Sequence, residues 1–271
     1  MAAESNVGER LRRIESRQNA QVRQLRRAFV EGRLNEQGEV AVEGMHLVEE
    51  AIRSGLRLRA VFFSESAHER VHKLLPQLSS HTDVFLLSDS VFASAVPSET
   101  PQGLAALVRA KSFTLEAILK ANPALLVIAA GLQDPGNLGT IARSAEAFGA
   151  TGLLLTERTV SPWNWKSLRA SAGSLFRMPL LQIESTVLSD VRARGVRLLA
   201  TSSHKGTPVP QIDLSGPTAF VIGSEGAGVP KDVLARVDET VAIPQAAKVE
   251  SLNAAIAASI MLYEAARQRK S

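Results

Sequence analysis

The sequence predicts an α/β protein of two domains, each with a β-sheet covered by helices. Two observations predict it. Segments with strand patterns alternate with helical segments along most of the 271 residues, as in parallel or mixed sheets. In the second half, the strand segments ALLVIAAGL (124–132) and TAFVIGSE (218–225) are continuously apolar, as expected of strands buried on both faces.

The first half contains seven expected elements in alternation. EVAVEG is a strand, and MHLVEEAIRSG is a helix that Gly55 ends. The strand LRAVFFSES, the helix AHERVHKLLPQL (67–78), the strand DVFLLS, the helix DSVFASAV and the strand PQGLAALVR follow. The second half adds strands at GLLLTE, VRLLATSS and TVAIP, with helices near 138–148, 166–174, 186–194, 230–236 and 252–269. These elements divide the chain into an arm (1–34), a first domain (35–110), a linker (111–123) and a second domain (124–271).

Composition excludes several classes of protein. The chain is 45% hydrophobic and 21% charged, which is typical of globular proteins. No apolar run approaches the ~20 residues of a membrane span, and the beginning lacks the apolar core of a secretory signal. Because cysteine is absent, disulfides and thiolate metal ligands are excluded. We expect a cytoplasmic protein with no membrane contact and no metal.

The positive charge is concentrated at the front of the chain. The formal net charge is +4, and residues 1–33 carry eight arginines and four glutamates, so the remainder is neutral. An arginine-rich arm suggests a polyanionic partner. A solvated amphipathic helix is the alternative, because Val22, Leu25 and Phe29 have helical spacing.

One motif indicates a metal site only superficially. HERVH (68–72) fits the zinc-protease pattern, in which two histidines one helical turn apart bind the metal. The other histidines lie in no supporting motif, and a zinc site needs a third ligand in a cleft. We therefore expect a surface helix with two solvated histidines.

Three later motifs carry the functional prediction. DPGNLGTIARSAEAFGA (134–150) is a turn followed by a helix, for which Asn137 is the expected N-cap. Its apolar face excludes Arg143, and its spacing fits neither a Walker loop nor a dinucleotide fingerprint. Its alternative interpretation is a capped helix with a solvated arginine.

The other two motifs follow buried strands. In FVIGSEGAGVP (220–230), a strand leads into glycines around Glu225, at the sheet edge where open α/β folds bind ligands. A tight turn with an exposed acid is the alternative. In AIPQAAKVESLNAAIAAS (242–259), Ser251 and Asn253 precede a helix whose first turns are almost all small. Ser251 is a possible N-cap, which leaves Asn253 as an additional polar group.

In this order and spacing, the three motifs resemble the SpoU family of RNA ribose 2′-O-methyltransferases, in the SPOUT superfamily. ASAGSLFRMP (170–179) is similar to the segment between the first two motifs. NAQVRQL and EVAVEGMHLVEEA are similar to the family's N-terminal substrate-binding domain. The resemblance implies a trefoil knot in the second domain, an RNA-binding first domain, and S-adenosylmethionine as cofactor. The implied cofactor-binding residues are Thr201, Ser202, Ile222, Gly223, Ile243 and Leu252.

The resemblance also implies roles for the polar motif residues. Arg143 would lie by the target ribose and phosphate, and since a guanidinium keeps its proton, it would bind the phosphate rather than act as the base. Asn137 would fix the loop and the nucleotide, and Glu225 would shape the site through hydrogen bonds. Ser251 and Asn253 would contact the ribose or orient Arg143. All five are present, which argues against an inactive RNA-binding scaffold.

The implied partners are RNA and a second copy of the chain. We expect structured RNA, with large-subunit ribosomal RNA favoured over transfer RNA. Trp163 and Trp165 either stack on a base or pack in the core. The homodimer would use the last helix, through a face formed by Ala255, Ala258, Leu262 and Ala266.

Overall fold

The computed structural model describes residues 11–67, 73–203, 205–246 and 250–270. By contacts between residues, the chain forms two compact units. The first contains the described residues up to Lys111 together with Trp163–Phe176, and the second contains Ser112–Pro162 and the described residues from Arg177 onward. The predicted domain limits stay a prediction, and the observed grouping differs from them in placing residues 163–176 with the first unit.

The first unit contains a mixed five-stranded sheet in the order β1-β4-β3-β5-β2. Strands β1, β4 and β3 are parallel, and β5 runs antiparallel to both β3 and β2. Its elements are β1 (Leu11–Ile14), α1 (Ala20–Glu31), β2 (Glu39–Glu43), α2 (Met45–Arg53), β3 (Arg57–Ser64), β4 (Asp83–Leu87), α3 (Asp89–Ala93), β5 (Leu104–Arg109) and α6 (Trp165–Ser171).

Over its described residues, the arginine-rich segment is part of this unit and is not a detached arm. Strand β1 pairs with β4, and α1 buries Val22, Leu25 and Phe29 in the core. Arg26 donates hydrogen bonds to Ser94, at 2.8 Å to the carbonyl oxygen and 3.0 Å to Oγ. The helical spacing thus correctly predicted α1, and one of its arginines is used within the fold.

Within the described residues of the range 67–78, the expected helix is not observed. A 3₁₀ turn spans Leu75–Gln77, with Pro76 at its start, and another covers Glu65–Ala67. Proline lacks the N–H that a continuing helix requires, which explains the interruption. The HERVH motif lies outside the described residues. No described helix is both long enough and apolar enough to cross a bilayer.

The second unit contains a seven-stranded, fully parallel sheet in the order β10-β12-β9-β11-β6-β7-β8. The continuous apolar patterns therefore predicted its central strands correctly, whereas the short strands β8 and β10 were missed. Its elements are α4 (Leu115–Leu119), β6 (Leu125–Ala130), α5 (Pro135–Ala147), β7 (Gly152–Leu155), β8 (Leu180–Gln182), α8 (Leu188–Ala193), β9 (Arg197–Ser202), β10 (Thr207–Pro208), β11 (Thr218–Gly223), α9 (Lys231–Leu234), β12 (Glu239–Ala242) and α10 (Ala254–Arg269). The short helix α7 (Ser174–Arg177) begins among the residues of the first unit and ends at Arg177, which belongs to the second.

Helices α5 and α10 pack against each other, and this packing corrects one prediction. Ala255, Ala258 and Leu262, expected to face a second copy, are buried within the chain. The Oγ atoms of Ser144 and Ser259 are 2.7 Å apart, which joins the two helices directly. Small residues allow two helices to approach closely, and the same pattern serves an internal contact as well as an intermolecular one.

Candidate active site

Helix α5 begins one turn earlier than its sequence suggested. Its N-cap is Asp134, whose Oδ1 accepts a hydrogen bond from the Asn137 N–H at 2.6 Å, and Pro135 occupies the first helical position. The prediction of Asn137 as the N-cap is therefore wrong. Asp caps as well as Asn, and proline at the first position favours the residue before it as the cap. The Asn137 side chain is thereby left for other contacts.

Helix α10 is capped by Asn253. Its Oδ1 accepts hydrogen bonds from the N–H groups of Ala255 at 3.0 Å and Ile256 at 3.2 Å. The prediction of Ser251 as a possible cap is corrected, because Ser251 lies before the helix. Asparagine and serine cap equally well, so composition alone does not choose between them.

The third polar residue, Glu225, lies in a tight loop after β11. Ser224 and Gly228 exchange two backbone hydrogen bonds, of 3.1 and 2.8 Å, which fold residues 224–228 back on themselves. A Cβ atom on Gly223 would lie 2.2 Å from the carbonyl carbon of Gly228 and 2.3 Å from the Val229 nitrogen. Only glycine therefore fits at the end of this strand.

These three side chains form one hydrogen-bonded cluster, which we call the Asn-Glu-Asn cluster (Asn137, Glu225 and Asn253). The Nδ2 group of Asn137 donates to Glu225 Oε1 at 3.0 Å, and that of Asn253 donates to Asn137 Oδ1 at 2.9 Å. Asn253 Nδ2 also donates to Glu225 Oε1, which accepts the Ala254 N–H at 3.4 Å as well. Residues from three distant segments are thus held together, at the N-termini of two packed helices.

The hydrogen-bonding capacity of Asn253 is fully used by these contacts. An amide side chain has two N–H donors and two acceptor lone pairs. In Asn253 the donors bind Asn137 and Glu225, and the oxygen accepts two backbone N–H groups. Asn253 is therefore placed to position its neighbours, and Glu225 Oε2 retains capacity for a ligand.

A cavity of about 390 Å³ lies at the carboxyl edge of the parallel sheet, within the size range of small-molecule sites. Strands β9, β11 and β12 all end there. Glu225 and Ser251 also line this cavity, so it adjoins the Asn-Glu-Asn cluster. All six residues expected to bind a cofactor contribute to its wall: Thr201, Ser202, Ile222, Gly223, Ile243 and Leu252.

The cavity wall fits a purine nucleoside in two respects. Ile222, Ile243 and Leu252 supply apolar surface for the faces of a flat ring. Gln245 Oε1 is buried and, within the part of the chain that the structure describes, has no hydrogen-bond partner, although Gln245 Nε2 donates to the Ser203 carbonyl at 3.4 Å. An unsatisfied buried acceptor is costly, so a donor from a bound ligand would stabilise it.

Arg143 differs from the cluster in having no partner among the residues that the structure describes. It is exposed on α5 and, among the described residues, its guanidinium makes neither a hydrogen bond nor an ion pair. Arg143 does not line the cavity, but it lies on the same helix as Asn137. The roles predicted for these site residues stay predictions.

Sequence reasoning missed two contributors to the site. Asp134 was treated only as a turn former, although Pro135 behind it was an available signal for the cap. Gln245, which follows the Ile-Pro pair, had no periodic or spacing signal. Of the two tryptophans, Trp163 is 5% exposed, and Trp165 packs against the core of the first unit.

The parallel sheet, the clustered motif residues and the cavity at the strand ends agree with the resemblance to SpoU methyltransferases. The model of the SpoU rRNA Methylase family matches residues 124–263, and the chain belongs to this family. The model of the MRM3-like substrate binding domain matches residues 19–106.

Individual relatives resemble the chain over nearly its whole length. An uncharacterized tRNA/rRNA methyltransferase of Synechocystis is 37% identical, covering 94% of each chain. The 23S rRNA (guanosine(2553)-2′-O)-methyltransferase RlmP of Bacillus subtilis is 31% identical, covering 93% of this chain and 98% of RlmP. The crystal structure of the SpoU methyltransferase AviRb from Streptomyces viridochromogenes, in complex with AdoMet, has a TM-score of 0.83 at 30% identity and covers 94% of this chain and 99% of AviRb. An rRNA methyltransferase from Sinorhizobium meliloti has a TM-score of 0.84 at 28% identity, with coverage of 95% and 98%.

Proposed function

We propose that this protein transfers a methyl group from S-adenosylmethionine to a ribose 2′-hydroxyl of structured RNA, with large-subunit ribosomal RNA as the substrate. The observation that carries the proposal is the convergence of three motif residues beside a cavity lined by all six expected cofactor residues. Membership in the SpoU rRNA Methylase family supports the reaction class. The name of the relative RlmP supports ribosomal over transfer RNA.

The residues present fit the cofactor. The apolar wall and the unsatisfied Gln245 Oε1 suit an adenine, whose ring faces are apolar and whose amino group is a donor. When bound, S-adenosylmethionine supplies an electrophilic methyl group with a neutral thioether as its leaving group. Gly223 permits close approach of the loop that carries Glu225, which forms one side of the cavity.

Methyl transfer also requires removal of the proton from the ribose hydroxyl. A guanidinium remains protonated at any physiological pH, so Arg143 is not the base. Instead, the exposed and unpartnered Arg143 binds the phosphate beside the target ribose, and a phosphate oxygen accepts the proton. Bidentate binding of phosphate is the interaction for which an arginine fork is best suited.

The Asn-Glu-Asn cluster serves as the positioning element of the site. Its internal hydrogen bonds fix the start of α5, and thereby the helix that presents Arg143. Glu225 Oε2 and the Ser251 hydroxyl remain available to the substrate at the cavity wall. Orientation of the reacting groups before the reaction lowers the entropic part of the barrier.

Two further features belong to the proposal. The C-terminal segment forms the trefoil knot of the family, and the protein acts as a cytoplasmic homodimer through α10. The internal packing of the small face leaves Ile256, Ile260 and Tyr263 exposed along α10, by 53%, 37% and 56%. These residues recur at helical spacing and form an apolar stripe that a second copy would cover.

The dimer is tested by light scattering after size-exclusion chromatography. Ile260→Glu is expected to convert the dimer to a monomer, because a charge would be buried in the interface. Val30→Glu is the matched control, since Val30 is an exposed apolar residue (81%) outside α10. A monomeric wild-type protein would contradict the proposed dimer.

The reaction is tested by radiolabelled methyl transfer from S-adenosylmethionine to ribosomal and transfer RNA lacking their own ribose methylation. Label in large-subunit RNA, at a nucleotide whose 3′ linkage then resists alkaline hydrolysis, is the expected result. Label only in transfer RNA would reassign the substrate. Cofactor and RNA binding without label in any RNA would identify an inactive scaffold.

A further inference from the structure

The first unit contains a second cavity, which the proposed reaction does not use. Its volume is about 230 Å³, and it lies among β2, the start of α2, the loop before β5, and α6. Its wall includes a carboxylate, an indole ring, a guanidinium and neutral polar side chains. The residues relevant to its chemistry are Glu43, Ser98, Gln102, Trp165 and Arg169.

Glu43 is the most unusual group in this wall. It is half-buried at the end of β2, and burial raises the pKa of its carboxyl group. Hydrogen bonds from Ser98 Oγ and from the backbone N–H groups of Ser98 and Gln102, together with the positive charge of Arg169, oppose this rise in pKa without cancelling it. A carboxylate that is desolvated and incompletely compensated gains from additional N–H donors.

The remaining wall suits a nucleotide. Trp165 provides an aromatic surface, on which unpaired bases commonly stack. Arg169 is exposed at the cavity and can bind a phosphate through its planar fork. The volume of about 230 Å³ is smaller than the about 300–1,000 Å³ of drug-sized sites, so the cavity has room for one base and not for a second nucleotide, with the phosphate at the exposed rim beside Arg169.

The carboxylate selects among the four bases. Guanine carries two parallel donors on one edge, N1–H and the 2-amino group, which match the two oxygens of a carboxylate. Adenine and cytosine present an acceptor nitrogen beside their amino group, and uracil presents carbonyl oxygens on both sides of its N–H. Each of these three would bring a lone pair towards the Glu43 oxygens.

We propose that this cavity binds a single unpaired guanosine of the substrate RNA, with Glu43 recognising the base edge, Trp165 stacking on the ring and Arg169 binding the phosphate. The source of the guanosine rests on the proposed function, because that function makes RNA the substrate. The site itself lies within the first unit and is separate from the cavity lined by Glu225.

Isothermal titration calorimetry of the full-length protein with GMP, AMP, CMP and UMP tests the site without RNA or cofactor. GMP is expected to bind at least about tenfold more tightly than the others, since each of the other bases brings a lone pair towards the Glu43 oxygens. Glu43→Gln is expected to remove this preference. Glu36→Gln, at an exposed glutamate on the same unit, is the matched control. Equal binding of all four nucleotides, or no binding, would overturn the proposal.

A second variant protects the test against misfolding of Glu43→Gln. Arg169 is exposed, so Arg169→Gln is expected to retain the wild-type melting temperature. It should weaken GMP binding while leaving guanosine binding unchanged, because guanosine lacks the phosphate. Equal weakening of both ligands would contradict the assignment of Arg169.

Binding of deproteinised large-subunit ribosomal RNA distinguishes the two sources of guanosine. Glu43→Gln is expected to weaken RNA binding about tenfold, as for loss of one charged hydrogen-bonded contact. GMP binding with unchanged RNA affinity would assign the cavity to a free guanine nucleotide and overturn the RNA source. Since the GMP assay needs no methyl transfer, its failure is distinguishable from failure of the proposed function.

Discussion

Two regions of α5 differ in how completely their polar groups are used. At its N-terminus, Asn137 is bound to Glu225 and Asn253, and the helix itself is capped by Asp134. Two turns later, Arg143 is exposed and has no partner among the described residues. The first region is organised before any ligand binds, and the second has its full capacity available for a ligand.

This difference distinguishes side chains that position the site from side chains that contact the substrate. A side chain with all of its hydrogen bonds made inside the protein contributes by fixing geometry, and its removal disturbs both stability and activity. A side chain with no internal partner contributes almost nothing to stability, so its removal should affect activity alone. Variants of the two regions should therefore differ in which of the two properties they change.

Replacement of Arg143 should have the largest effect on the reaction. Arg143→Ala is expected to lower methyl transfer by roughly 10²–10³-fold, the usual cost of losing one organised donor at a reacting centre. Its melting temperature should remain that of the wild type, since exposed side chains without partners contribute little to stability. Initial rates and thermal unfolding measure the two quantities.

The control for Arg143 is an arginine on the opposite side of the sheet. Arg194 precedes β9, at the edge away from the cavity, and its contact with Glu116 is only a loose 3.9 Å pair. Arg194→Ala should retain full activity. A large loss of stability in Arg143→Ala would contradict the separation, because Arg143 would then have a structural role.

Replacement of Gly223 should displace the loop that carries Glu225 and so disrupt the Asn-Glu-Asn cluster, because the new side chain would clash with the backbone of that loop. A Cβ atom at this position collides with the backbone of Gly228 and Val229, so Gly223→Ala is expected to cost about 1–3 kcal/mol, as overpacking does. Calorimetry should also show loss of S-adenosylmethionine binding. Gly226→Ala is a close control in the same loop, because a Cβ atom there meets nothing within 4 Å.

Replacement of residues in the Asn-Glu-Asn cluster should change the free energy of unfolding by a smaller amount, and the coupling between the changes tests whether the cluster acts as a unit. Asn253→Ala is expected to cost about 1 kcal/mol through loss of the N-cap. Glu225→Ala removes the acceptor shared by both asparagines, and the double variant should depart from additivity by about 0.5–1 kcal/mol. Urea unfolding of the four proteins measures this coupling. Strict additivity would show that the cluster is not a unit.

The sequence predicted the buried strands and the motif residues that meet in the fold, but not every cap or short strand. The apolar patterns predicted the central strands, and motif spacing selected residues that the fold brings together. Asn137 was the expected cap of α5, whereas Asp134 caps it, and Pro135 at the first helical position was the signal that favoured Asp134. The small face of α10 was assigned to a partner copy because the family resemblance implies a dimer through this helix. Periodicity shows that a face is buried without showing which element covers it. Short strands such as β10, with two residues, have too few positions to produce a pattern.

The smallest expected effect concerns the opposite end of α10, where Glu264 is held by hydrogen bonds from Arg267 and Gln268. These contacts lower the pKa of Glu264 to about 2. Since its pKa in the unfolded chain is about 4.3, the stability that Glu264 contributes is complete above that value and is lost as the pH falls towards 2. The difference in unfolding free energy between wild type and Glu264→Gln should therefore shrink between pH 6 and pH 3, as measured by urea unfolding.

Glu116→Gln provides the baseline for this pH series, because the Glu116 side chain is 77% exposed. Gln268 also binds the loop before β11, where it accepts a hydrogen bond from the Leu214 N–H at 2.8 Å and donates one to the Ile212 carbonyl oxygen at 3.1 Å. A pH-dependent difference for Glu264 would show that α10 is fixed at its C-terminal end as well as at Asn253. An unchanged difference from pH 6 to pH 3 would show that Glu264 adds nothing to the anchor that Arg269 provides at this end, where it donates to the carbonyl oxygens of Leu214 and Ala124.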